Sequence, residues 1–214
     1  EDIQNGMEFA VKQVRCNLEE FTDKFQNAFS ENGFYKPIEN NYWTTGFWTG
    51  EIWLAYEWSH DEAFRKAADV QVESFLKRIN DKYEVDHHDM GFLYSLSCVA
   101  AYKLTESKKG REAAIKAADQ LITRYHPVGE FIQAWGPMNE PENYRLIIDC
   151  LLNLPLLYWA TEETGEKKYR EIAESCQTER KLGIFYQEML WKLSVLSELY
   201  FLFQGNRCIM RNHK

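Results

Sequence analysis

Asp86, His87, His88 and Asp89 stand side by side in DHHDMGF, directly before the apolar run GFLYSLSCVAAY. Two carboxylates and two imidazoles can bind a metal, cap a helix or move protons. Adjacent histidines cannot share one helical face, and zinc sites favour i, i+4 spacing or distant loop pairs. His60 and His126 have no ligand-like neighbours in the chain, so neither a metal nor another cofactor is expected. A cap at Asp86 or Asp89 explains one carboxylate and neither imidazole. Proton transfer asks for a second carboxylate, and Asp149 in RLIIDCLLNLPLL supplies one. A carboxylate in so apolar a run is costly unless it is partnered or faces a cavity. Read as helix, the segment puts Arg145 (i−4) and Asn153 (i+4) on its face. Two readings follow: a structural Asp149–Arg145 pair, or an inner-wall acid whose pKa is raised by poor solvation. A close Arg145 would pull the pKa the other way.

Aromatic residues supply candidate sugar platforms. Trp43, Trp48, Trp53 and Trp58 recur every five residues in YWTTGFWTGEIWLAYEW, a spacing that no single helical face satisfies. Trp43 and Trp48 flank the turn-like TTG and are expected at a pocket mouth, with Trp53 packed inside. Trp135 lies in the Gly-bounded loop FIQAWG. Seven Trp and twelve Tyr suit either a stacking pocket or a bulky core.

The elements that must hold these residues read as helices, with strand signals nearly absent. MEFAVKQVRCNLEEFTDKF carries a stripe at Phe9, Val11, Val14, Leu18, Phe21 and Phe25. Ser59 and Asp61 can cap a helix through EAFRKAADVQVESFLKRI. Gly91 to Leu104 is apolar nearly all round and should be buried on most sides. GREAAIKAADQLITRY is amphipathic. NYRLIIDCLLNLPLLYWATEE reads as another buried helix that Pro155 kinks or ends early. One plan recurs at the joints in AYEWSHDEAFRKAA, AYKLTESKKGREAAIKAA and WATEETGEKKYREIA. A buried helix ends in aromatic residues and Ala, a short polar turn follows, and an Ala-rich helix begins. Ala55, Ala101 and Ala160 mark intervals of 46 and 59 residues. Stacked αα-hairpins are the expected fold, with the buried set forming an inner wall.

The 214 residues suffice for one domain with a real core. A net charge of −8 argues against nucleic acid. No apolar run reaches a membrane span, and EDIQNGMEFAVKQ shows no signal pattern. The scattered cysteines include Cys16, Cys98 and Cys150 at helical apolar positions, expected as core thiols in a reducing compartment. Residues 1–175 hold 19 Lys+Arg and 30 Asp+Glu, whereas 176–214 hold 6 and 3. The segment 176–214 therefore reads as a divergent tail, as a frame change or a truncated gene would produce. An ordinary apolar C-terminal helix is the plainer alternative.

YWTTGFWTGEIWLAYE, HHDMGF, IQAWG and IDCLLNLPLLYWA, in this order, resemble the unsaturated glucuronyl hydrolases, glycoside hydrolase family 88. The likeness covers roughly residues 5 to 175. It implies an all-α fold, an αα-hairpin toroid or (α/α)6 barrel, of which residues 1–175 would be the N-terminal part and therefore incomplete. It implies hydrolysis of the unsaturated uronic acid at the non-reducing end of lyase-generated glycosaminoglycan oligosaccharides. The reaction would start by hydrating the C4=C5 bond, unlike two-carboxylate displacement. By motif match, Asp149 would be proton donor and base, and Asp89 the second, ionised carboxylate. His88 would hydrogen-bond sugar or Asp89, and Trp43 and Trp135 would stack on sugar rings. The resemblance also implies a bacterial cytoplasmic setting, weak or no activity for a half barrel, and self-association through its open edge. Two other readings stand beside it: an unsaturated rhamnogalacturonyl hydrolase with the same chemistry, and a non-catalytic helical-repeat binding fragment.

Overall fold

Each joint that the sequence pattern marks closes in the same way. The carbonyls of Ala55, Ala101 and Ala160 accept hydrogen bonds from the hydroxyls of Ser59, Thr105 and Thr164, each at 2.7 Å. The chain then passes through a left-handed residue: His60 (φ 52°), Glu106 (φ 56°) or Gly165 (φ 76°). The N–H of that residue donates to the carbonyl four positions back, on Tyr56, Tyr102 or Thr161. This satisfies a carbonyl that the ending helix would otherwise leave open. At two joints the next helix is capped at once, Asp61 accepting from the Ala63 N–H and Ser107 from the Gly110 N–H.

The computed structural model describes residues 2–177, all but the last of them in a compact unit Glu1–Cys176. The expected divergent tail, 176–214, lies outside these residues except for its first two. Helix α1 (Asp2–Phe21) leads into a hairpin of β1 (Phe25–Glu31) and β2 (Phe34–Ile38). Helices α2 (Thr45–Ser59) and α3 (Glu62–Asn80) follow. Then α4 (Met90–Tyr94) runs through a π-helical turn (Ser95–Val99) into α5 (Ala100–Thr105). After α6 (Lys108–Ile122) come a two-residue hairpin, β3 (Tyr125–His126) with β4 (Phe131–Ile132), and a 3-10 turn (Pro141–Asn143). Helices α7 (Cys150–Asn153), α8 (Pro155–Thr164) and α9 (Lys167–Ser175) complete the described chain. Helices α2, α4–α5 and α7–α8 touch one another in a row, and α3, α6 and α9 back them in a second row. The interface between rows is rich in wholly buried alanines, such as Ala113, Ala114, Ala117 and Ala118 of α6. No helix among the described residues is long and apolar enough to cross a membrane.

Four expectations need correction. Strands are present, as two short hairpins. Phe25 does not continue the α1 stripe. The helix stops at Phe21, where Gln71 Nε2 donates to the carbonyls of Phe21 (2.8 Å) and Lys24 (3.2 Å). Phe25 still reaches the core, edge-on to Phe75 at 5.6 Å, so apolar spacing persists while the backbone changes. The segment around Asp149 is not one helix. The carbonyl of Arg145 accepts from the Ala134 N–H (3.0 Å), tying the chain before Asp149 to a neighbouring loop, and helix starts only at Cys150. Pro155 opens α8, where its missing N–H costs nothing. Finally, Cys16 is exposed, while Cys98, Cys150 and Cys176 are buried thiols.

The row α2, α4, α7 depends on glycine. A Cβ on Gly46 would lie 2.1 Å from the Phe92 carbonyl oxygen, and one on Gly91 would lie 2.3 Å from Asn153 Cα. Helix propensity alone favours Ala over Gly by about 1 kcal/mol. The contact is with backbone that cannot step aside, so Gly46→Ala is expected to destabilise by about 2 kcal/mol or more. Chemical denaturation of both proteins measures the difference, including its sign.

Candidate active site

The starts of α2, α4 and α7 lie together, and two buried guanidinium groups hold the loops that lead into them. Arg78 of α3 donates to Asn40 Oδ1 (3.0 Å), the Tyr42 carbonyl (3.0 Å) and Thr45 Oγ1 (3.2 Å). It also donates to the carbonyls of Tyr83 (3.3 Å) and Glu84 (2.5 Å). One side chain therefore fixes both the turn carrying Trp43 and the approach to the DHHD segment. Arg124, wholly buried, donates to the carbonyls of Gln133 (2.9 Å) and Gly136 (2.8 Å) and pairs with Asp86. It bridges the Trp135 loop to the same segment. The backbone adds a bond between them, from the His88 N–H to the Ala134 carbonyl at 2.9 Å.

Of the residues expected to do chemistry, His88, Asp89 and Asp149 meet. His88 Nε2 lies 3.3 Å from Asp89 Oδ1 and 3.7 Å from Asp149 Oδ1. The His88 side chain is 1% exposed, against 14% for Asp89 and 22% for Asp149. So the imidazole sits behind two carboxylates that can still be reached. Nδ1 of His88 is buried with no hydrogen-bond partner among the described residues. His87 lies on the other side of Asp89. Its Nδ1 is 3.1 Å from Asp89 Oδ2 and accepts from the Asp89 N–H, while Nε2 is 3.0 Å from the Glu84 carbonyl. Burial works against the charge of Asp89, but the contacts with His87 and His88 outweigh it and pull the carboxyl down to about 2. Asp89 is thus ionised at neutral pH.

The capping reading fails for both aspartates of DHHD. Asp86 pairs with Arg124. Asp89 occupies the position before α4 but makes no side-chain cap bond, its carboxylate being turned to the histidines. Asp149 stands likewise before α7. Arg145 does not share a helical face with it. Its guanidinium lies 5.2 Å over the Trp135 ring and donates to Asn143 Oδ1 at 3.3 Å.

Trp43 and Trp135 are both well exposed, at 40% and 45%. Trp43 contacts Phe92, three residues past Asp89, with ring centroids 5.9 Å apart, and Phe47 at 6.3 Å. Trp48 is not at the mouth. It is buried, its Nε1–H donating to the Phe21 carbonyl at 2.9 Å. Trp53 is buried, as expected. Sequence reasoning passed over Phe47, in the first turn of α2 and edge-on to Trp43, and the contact of His87 with Asp89. It also passed over Glu51, on the face of α2 that carries Phe47, Leu54 and Trp58. The Glu51 side chain meets solvent but is hemmed in by protein, and the resulting desolvation pushes its carboxyl up to about 7. A cavity of about 750 Å³ is lined by Tyr102, Glu106, Arg111 and neighbours and by none of these groups. Donor atoms of His88, Asp89 and Asp149 all lie within 4.8 Å of one another, a spacing at which a cation could be held.

The family profile described as Glycosyl Hydrolase Family 88 matches residues 17–184. The chain belongs to that family. It is 49% identical over 175 residues to the unsaturated chondroitin disaccharide hydrolase of Streptococcus pneumoniae, covering 82% of this chain and 44% of that protein. It is 46% identical over 160 residues to the unsaturated glucuronyl hydrolase of a Bacillus species, covering 74% and 42%. Among solved structures, the unsaturated glucuronyl hydrolase of Streptococcus agalactiae superposes with a TM-score of 0.79 at 47% identity, over 81% of this chain and 44% of the other. The chain therefore spans less than half the length of these family members, and its helical hairpins match part of their (α/α)6 toroid.

Two outcomes follow from the site's electrostatics. Asp89 titrates in the fold below its ordinary value of 3.8. The stability it contributes is complete above about pH 4 and is lost as the pH falls towards about 2. Asp89→Asn is expected to flatten that part of the acid-unfolding curve, as followed by denaturation at stepped pH. Arg124→Ala leaves the Gln133 carbonyl without its side-chain donor, takes one of two donors from the Gly136 carbonyl and unpairs Asp86, and is expected to cost about 3 kcal/mol. Urea unfolding gives that value directly.

Proposed function

We propose that His88, Asp89 and Asp149 form the acid–base centre of an unsaturated glucuronyl hydrolase. The substrate is the unsaturated uronic acid at the non-reducing end of lyase-generated glycosaminoglycan oligosaccharides. The observation that carries this reading is geometric: two carboxylates, each just before the start of a separate helix, bracket one buried imidazole at 3.3 and 3.7 Å. Family membership supports it. Solved structures of the Streptococcus agalactiae relative include Asp-to-Asn mutants at two positions 60 residues apart, one of them complexed with dGlcA-GalNAc6S. Asp89 and Asp149 have the same separation in this chain.

In this reading Asp149 delivers a proton to C4 of the sugar's C4=C5 bond. Positive charge develops at C5 and is shared by the ring oxygen. Asp89, held ionised by the histidines, faces that charge and accepts hydrogen bonds from sugar hydroxyls. Water adds at C5 and gives its proton to Asp149, which restores the acid. The hemiketal opens, and the glycosidic bond breaks as a consequence. His88 fixes the two carboxylates relative to one another. Trp43 and Trp135 offer flat apolar faces for the sugar rings.

The conjugated C4=C5 bond absorbs in the ultraviolet, so its loss reports the reaction. With an unsaturated chondroitin disaccharide, the chain is expected to bleach the absorbance only weakly, since it spans less than half of its relatives' length. Asp149→Asn should slow that by about 100-fold or more, the usual weight of a general acid–base. Bleaching of a pectin-derived unsaturated disaccharide in preference would assign the rhamnogalacturonyl substrate class instead. No bleaching of either by the wild-type chain would remove the hydrolase reading for these residues acting alone.

A further inference from the structure

We infer that Asn153 is a positioning residue: it caps α4 in place of Asp89 and so leaves the Asp89 carboxylate free to face the histidines. An Asp just before a helix ordinarily turns its carboxylate onto the N–H two or three residues ahead. For Asp89 the second of these is the N–H of Phe92. That N–H donates instead to Asn153 Oδ1, from α7, at 3.0 Å. Nδ2 of the same amide donates to the carbonyl of Asp149 at 3.1 Å. One wholly buried side chain therefore spans the two segments that begin at the two carboxylates. Asp89, with no cap bond of its own, lies 3.1 Å from His87 Nδ1 and 3.3 Å from His88 Nε2.

The approach that permits this is built into the backbone. A Cβ on residue 91 would meet Asn153 Cα at 2.3 Å and its carbonyl oxygen at 2.7 Å, so only glycine lets α7 come close enough. Without the Asn153 acceptor, the Phe92 N–H would be buried and unpaired, an expensive state. Asp89, three residues before it and already at the cap position, is the natural replacement. Its carboxylate would then leave His88 and the site.

The catalytic part of this inference rests on the proposed function, and the structural part does not. The test is the crystal structure of the full chain carrying Asn153→Ala or Asn153→Asp. In Asn153→Ala, Asp89 is expected to rotate and accept from the Phe92 N–H, losing its contact with His88 Nε2. In Asn153→Asp, which keeps an acceptor for Phe92, Asp89 should stay with the histidines. Asn153→Ser, whose hydroxyl is too short to reach Phe92, replaces Asn153→Ala if that protein does not fold. Asp89 unmoved in every variant lacking the acceptor would overturn the inference. In the absorbance assay, Asn153→Ala should lower kcat by about 100-fold with KM changed by less than about threefold, and Asn153→Asp should recover part of the loss. A wild-type chain that turns over no substrate would count against the proposed function, while the position of Asp89 in the variants would still decide the role of Asn153.

Discussion

The close approach of α2, α4 and α7 is the constraint on which the rest depends. Gly46, Gly50 and Gly91 face the neighbouring helix at distances where a Cβ meets backbone or an adjoining side chain. Packing at this range brings three helix starts together, and with them Trp43, Asp89 and Asp149. It also brings the amide of Asn153 into reach of a helix to which it does not belong. Had α4 and α7 been separated by side chains of ordinary size, the two carboxylates could not share one imidazole.

Burying polar groups this densely calls for hydrogen-bond partners, and two arginines supply several of them. Arg78 and Arg124 lie almost wholly inside the protein, yet their nearest neighbours are mainly backbone carbonyls. Each guanidinium has five donors in a fixed plane, suited to fastening irregular loops that cannot satisfy themselves through helix or sheet. The loops around Trp43, His88 and Trp135 are thus tied down by buried side-chain hydrogen bonds. Ionisation of Asp89 follows from the same arrangement, since the loop that Arg78 and Arg124 hold places two imidazoles against it.

The hairpin joints show how a short pattern can be repeated without sequence identity. Ala55, Ala101 and Ala160 precede Ser59, Thr105 and Thr164 by four residues, and each hydroxyl bonds back to the corresponding carbonyl. The following residue takes the left-handed conformation whether it is His60, Glu106 or Gly165. Side-chain identity at that position is loosely set, because the N–H that closes the joint belongs to the backbone. The helical hairpins of this chain match part of the relatives' (α/α)6 toroid.

The sequence by itself determined the helical hairpins, their joints and the residue types of the site. These features rest on local periodicity, capping chemistry and the cost of placing Asp149 among apolar neighbours. It did not determine where helix gives way to loop. Apolar spacing continues through Phe25 and through Leu146 to Ile148, while the backbone there is claimed by Gln71 and by Ala134. It left the cap reading of Asp89 open, because an Asp before an apolar run looks the same whether or not its carboxylate is used. Only the tertiary structure decided that, by bringing the Asn153 amide from 61 residues away to the Phe92 N–H. The competition for a single backbone donor is settled by distance between helices, and no local pattern encodes that distance.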